Sequence, residues 1–158
     1  MPDQPIAHST YTIERNYPVS PNRVFAAFAD PAKKRRWFAE GENTELKTFE
    51  MDFQVGGRER RSFAFKGKGT PMEGVVFTNE TTYQDIVPNS RIVLAYTMAV
   101  NDKRISASLS SFELVPSENG TKLIYTEQAA FFEGADGPQM REAGWSHLFD
   151  GLGKHLAG

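Results

Sequence analysis

The stretch "GPQMREAGWSHLFDGLGKHLAG", residues 137–158, decides the fold. After Gly137-Pro138, the residues Trp145, Leu148, Phe149, Leu152 and Leu156 recur at helical spacing, so they form one apolar stripe on a helix running from Pro138 to Leu156. A helix that is greasy on one face has to lie on something. What precedes it, from Leu46 onward, is strand material: β-branched and aromatic runs separated by turn residues at Gly56-Gly57, Gly67 to Gly69, Pro88-Asn89, Asn101-Asp102 and Asn119-Gly120. These signals predict strands at about 46–53, 57–66, 72–86, 91–100, 104–115 and 121–132. The connections are too short for parallel crossovers, so neighbouring strands are antiparallel.

Upstream, "TYTIERNY" (10–17) alternates and reads as a further strand, ended by Pro18. Ser20-Pro21 is a cap-plus-proline helix start, and the short helix it opens carries Val24, Phe25 and Phe28 before stopping at Asp30-Pro31. A second short helix, Pro31 to Phe38, holds "KKRR" and ends in Trp37-Phe38. The expected class is α+β: seven antiparallel strands, two short helices after the first strand, and one long C-terminal helix. Residues 1–8, with Pro2 and Pro5, read as a loose tail, and 9–158 as a single domain.

Composition narrows the function classes. A length of 158 residues suits one core, and 12 Phe against 5 Tyr and 2 Trp biases the aromatic surface toward rings without a hydrogen-bonding handle. With no Cys, disulfides, thiolate nucleophiles and Cys-ligated metals are excluded. No apolar run approaches a membrane span and the N-terminus has no signal-peptide character, so a cytoplasmic protein without membrane insertion is expected. A net charge of −2 argues against nucleic acid as a partner. The three His lack metal-ligand spacing, "GKGT" (67–70) lacks the remainder of a phosphate loop, and no dinucleotide fingerprint is present. Neither metal nor cofactor is expected.

Strand parity selects the candidate site residues. The inner faces are Ile92, Leu94, Tyr96 and Met98 in one strand and Glu59, Arg61, Phe63 and Phe65 in another. In the last strand the inner row is Leu123, Tyr125, Glu127, Ala129 and Phe131, so one carboxylate interrupts an apolar row. In an apolar cleft such a carboxyl serves as a general acid or base; the alternatives are an ion pair or hydrogen bond with an arginine such as Arg61, or simple exposure on an edge. Met140 and Trp145 on the long helix are either core or pocket wall.

The segments "VFAAFADPAKKRRWF" (24–38), "VGGR" (55–58), "VPNSRIVLAYTM" (87–98), "SASLSSFELVP" (106–116), "GTKLIYTEQAAFF" (120–132) and "REAGWSHLFDGL" (141–152) occur in a telling order. Together with the order of elements they resemble the Hsp90-ATPase-activator-like (AHSA1-type) branch of the SRPBCC/START helix-grip superfamily. The resemblance implies a seven-stranded sheet wrapped around the C-terminal helix, with a cavity between them for a small apolar or amphipathic molecule. It places Glu127 in the Thr-Glu-Gln position, Trp37 and Phe38 at the close of the second helix, and Trp145 on the grip helix. Ala129 stands where Gly is expected and Phe132 where Leu is usual, and both add bulk.

Three functions follow as expectations. The first is small-molecule binding by Trp37, Phe38, Arg61, Phe63, Phe65, Tyr96, Met98, Tyr125, Phe131, Met140 and Trp145. The second is a cyclase, dehydratase or hydrolase with Glu127 as catalytic acid/base and a tyrosine as partner. The third is an interaction module, a chaperone accessory or a homodimer, using the more basic N-terminal half.

Overall fold

The computed structural model describes residues 5–41, 43–67 and 69–158. Strand β1 (Ala7–Tyr17) leads into α1 (Pro21–Ala29), α2 (Pro31–Lys34) and a π-helical turn (Arg35–Ala39). Six strands follow as a meander, β2 (Thr44–Met51), β3 (Arg58–Phe65), β4 (Val76–Val87), β5 (Arg91–Val100), β6 (Lys103–Ser117) and β7 (Gly120–Phe131), and α3 (Pro138–Ala157) ends the chain. They form one seven-stranded sheet ordered β1-β7-β6-β5-β4-β3-β2, in which every neighbouring pair is antiparallel. The first strand therefore lies beside the last.

Irregularities in the ladders fall between Leu46 and Thr48, Tyr83 and Asp85, and Met98 and Ala99. Such bulges bend and twist a sheet. The concave face carries the residues that parity selected, and Ile92, Leu94, Phe112, Leu123 and Tyr125 meet Trp145, Phe149, Leu152 and Leu156 of α3 in one core. Polar ties that fix the helix include Tyr17 donating to the Phe149 carbonyl at 2.9 Å and Arg23 to the Leu156 carbonyl at 3.3 Å. This is the grip arrangement that the resemblance implied.

Three expectations shift. Ala7 and His8 are strand rather than tail, because β7 extends to Phe131 and offers them backbone partners: Ala7 opposes Phe131 and His8 opposes Ala130. Residues 1–4 of the expected tail lie outside the described residues, as does Lys68 of the Gly67–Gly69 turn. Strand β4 begins at Val76, not at 72, because turns occupy Pro71 to Gly74, where Gly74 has φ 77°. The expected second helix is α2 followed by the π-turn, closed by Glu40 N–H donating to the Arg35 carbonyl. Widening the last turn brings consecutive aromatics inward, and both Trp37 and Phe38 are buried.

Ser20 precedes α1 as expected, yet its hydroxyl bonds the Asn22 side chain and makes no capping bond. Asp30 is the side-chain cap, accepting from Ala32 N–H at 2.9 Å and Lys33 N–H at 3.3 Å at the start of α2.

Candidate functional site

Glu127 points inward from β7 and is 0% exposed. A buried carboxylate has to be compensated, and four donors do so here. Tyr11 donates to Oε1 at 2.5 Å and Tyr125 at 3.1 Å; Tyr96 donates to Oε2 at 2.6 Å and Arg141 Nη1 at 3.2 Å. Parity explains the geometry: Tyr11 opposes Glu127 across the β1–β7 pair, and Tyr125 precedes it by two on the same face. Tyr96 reaches it from two strands away, and Arg141 comes down from the first turn of α3. Arg141 also binds Asp136 through Nε and Nη2, both at 2.8 Å, and Ser106 at 2.8 Å. Trp145 Nε1 donates to the Tyr96 hydroxyl at 3.3 Å, and Ser110 bonds the Tyr125 hydroxyl at 2.9 Å.

The electrostatics follow from burial. Desolvation and then the Glu127 charge push the Tyr11 and Tyr96 hydroxyls well above the ordinary tyrosine value; for Tyr125 the order is burial, Tyr96, then Glu127. Burial works against the Arg141 charge, but the hydrogen bonds to Asp136, with Tyr96 and Glu127, outweigh it and hold the guanidinium above its usual range. At neutral pH the tyrosines are donors locked onto a carboxylate. Any proton abstraction by Glu127 first has to displace one of its four partners.

The ion-pair partner of Glu127 is thus Arg141, not Arg61. Arg61 lies on β3, four strands from β7 in the sheet order, roughly 19 Å at the usual strand spacing. Arg61 is 9% exposed, and its guanidinium lies over the rings of Phe38 at 4.2 Å and Phe63 at 4.5 Å. It donates to Asn79 Oδ1 from Nε at 3.0 Å and Nη2 at 2.7 Å, and to the Phe38 carbonyl from Nη1 at 2.8 Å. Burial pushes its pKa down to about 10 against the pull of Glu59. A third buried group, Lys34, bonds Glu59 at 2.7 Å, and Tyr83 also donates to Glu59.

Of the remaining residues selected from the sequence, Trp37 is core, with its indole N–H on the Ala27 carbonyl at 2.8 Å. Trp145, Tyr125 and Phe112 fill the space beneath α3, with the Tyr125 and Trp145 rings 4.7 Å apart. Phe131 is buried 5.1 Å beneath the Arg141 guanidinium. Met98, half-buried, accepts a hydrogen bond from Arg141 on its sulfur at 3.6 Å. Phe63 and Phe65 are half-buried and cluster with Phe77, which stacks on Phe63 at 5.5 Å. Met140, expected to line the ligand site, is instead 68% exposed, because the inward position of that helical turn belongs to Arg141, four residues before Trp145. Sequence reasoning missed Tyr11, Asn79 and Arg141, although Arg141 lies on the apolar stripe at i−4 from Trp145 and Tyr11 on the same alternating face as Ile13.

Two surface clefts, about 300 and 330 Å3, lie away from this network, one lined by Arg60, Thr78 and Arg104 and the other by Lys47, Phe65 and Lys66.

A bulged antiparallel sheet closed on one C-terminal helix, with a buried polar cluster where the helix enters, defines the helix-grip class. Residues 18–157 match the family model described as activator of Hsp90 ATPase homolog 1-like protein. The chain belongs to that family. Among solved structures it is similar to a protein of Rhizobium loti, 45% identical with TM-score 0.85, covering 96% of this chain and 99% of that one. A protein of Rhizobium leguminosarum is 35% identical with TM-score 0.89, covering 97% of each chain. An AHSA1-like protein from Aeromonas hydrophila, at 19% identity and TM-score 0.68 over 94% of this chain and 92% of its own, shares the fold. Among curated proteins none matches.

Proposed function

We propose that the protein binds a small apolar or amphipathic molecule between the concave sheet face and the helices, at the end marked by Phe63, Phe65, Phe77 and Met98. The family generally binds ligands or interacts with chaperones. The observation that carries the reading is this half-buried row on the concave face, which continues past the point where the packed core ends. Apolar side chains left half-open beside a few placed polar groups are the usual makings of a ligand site. The interior beneath Trp145 is occupied by its own aromatics, so the ligand is held at this end of the groove. Dye displacement followed by Trp37 and Trp145 emission tests it: saturable one-to-one binding, weakened by Phe77→Ser, is expected. A panel of apolar dyes and acyl probes that shows no saturable binding removes the proposal.

An enzymatic reading is favoured by one observation, the mutual contact of Glu127 with Tyr11, Tyr96 and Tyr125. It requires α3 to lift at its first turn, since Glu127 is fully buried. On a substrate found to be turned over, Glu127→Gln is then expected to abolish kcat; an unchanged kcat excludes the role.

A further inference from the structure

Resting on the ligand-binding reading above, we infer that the ligand is an organic anion, a carboxylate carrying an aromatic or acyl tail, whose head group is received by Arg61 and Asn79. Three cations are buried among the described residues: Lys34 at 4% exposure, Arg141 at 3% and Arg61 at 9%. Two of them have carboxylates, Lys34 on Glu59 at 2.7 Å and Arg141 on Glu127 at 3.2 Å and Asp136 at 2.8 Å. For Arg61 no carboxylate among the described residues lies within ion-pair distance; an amide oxygen and a carbonyl take its place. Glu59 pulls on Arg61 from beyond bonding distance but is itself bonded to Lys34 and Tyr83, and a buried charge without a bonded counter-charge is costly.

The same spot holds a second open valence. Asn79 is 5% exposed, and among the described residues its Nδ2 has no hydrogen-bond partner. Its Oδ1 is taken by Arg61, so the amide both orients the guanidinium and leaves its N–H2 group unused. A guanidinium has five N–H donors, and three bonds to protein account for three of them. Phe38 and Phe63 occupy the ring-facing sides of the guanidinium, so the unused donors lie at its polar edge. A planar carboxylate matches two N–H groups of Arg61 together with Asn79 Nδ2. The tail then runs along Phe77, which stacks on the same Phe63 ring that the guanidinium covers.

The probes are two isosteric pairs, 2-naphthoate with 2-naphthalenemethanol and dodecanoate with dodecanol, titrated calorimetrically against the full chain. For at least one pair the acid is expected to bind about tenfold or more tightly than its alcohol, the usual worth of a charge-assisted hydrogen bond. Asn79→Asp gives Arg61 a carboxylate of its own: the variant is expected to melt at or above the parent temperature, to lose the preference for the acid and to keep its affinity for the alcohol. Asn79→Leu removes the donor without adding charge, and serves if Asn79→Asp fails to fold. Equal binding of acid and alcohol overturns the anion inference and leaves the ligand-binding reading standing. A preference for the acid that survives both variants also overturns it, since the head group is then held elsewhere. Absence of binding by all four probes overturns both.

Discussion

Glu127 and Arg141 form a pair that neither residue tolerates losing. Removing one partner of a buried ion pair leaves the other charge uncompensated, at a cost of about 3–5 kcal/mol. Arg141→Met and Glu127→Gln are each expected to lose stability in that range in urea unfolding. The double variant is expected to fall well short of the sum, because both singles damage one network; simple additivity would show that the two are not coupled. Part of this site is legible in the sequence. Alternation puts Glu127, Tyr125 and Tyr96 on inner faces, and a carboxylate in an apolar row announces that something has to answer it. What answers is harder to read, since Tyr11 and Glu127 are 116 positions apart and only the pairing of β1 with β7 brings them together. Arg61 matches by charge type and strand parity alone; the partner that answers Glu127 sits on α3, and how that helix crosses the sheet is written in neither pattern.

At the scale of elements, glycines separate sites that tolerate a side chain from sites that do not. Gly144, exposed on α3, has nothing within 4 Å of where a Cβ would stand. Gly144→Ala is expected to raise stability by about 0.5–1 kcal/mol through helix propensity, measured as a shift in the urea midpoint with an unchanged slope. Gly120 opens β7 at φ 154°, and an added Cβ there would stand 2.1 Å from the Tyr17 carbonyl oxygen. Backbone offers no easy retreat, so Gly120→Ala is expected to destabilise by more than about 1 kcal/mol. These elements were largely legible, because Gly, Pro and Asn mark the turns and the stripe marks α3. The π-turn at Arg35–Ala39 and the bulges were not. Each inserts a single residue into a regular ladder, a tertiary adjustment that leaves hydrophobic periodicity almost unchanged.

For the whole molecule, all 5 tyrosines respond to burial in one direction. Tyr11, Tyr17, Tyr83, Tyr96 and Tyr125 each have their hydroxyl pushed above the ordinary value near 10, with desolvation as the leading cause. The folded state therefore holds these protons more tightly than the unfolded chain does. The stability linked to them is complete below about pH 10 and is lost as pH rises beyond it. Titration with base is expected to leave the tyrosinate ultraviolet band silent until circular dichroism collapses, after which the five ionise together; gradual growth of the band in a folded chain would contradict this. The sheet order also governs how the molecule comes into being. Since β1 lies at the sheet edge and pairs with β7, it waits for its partner until a strand 116 residues further on, from Tyr11 to Glu127, has been made. Long-range closures of this kind slow folding. The Glu127 network, which needs Tyr11 from β1 and Arg141 from α3, is then assembled only as the β1–β7 seam is joined, and it acts as a lock on the folded domain rather than as a nucleus for it.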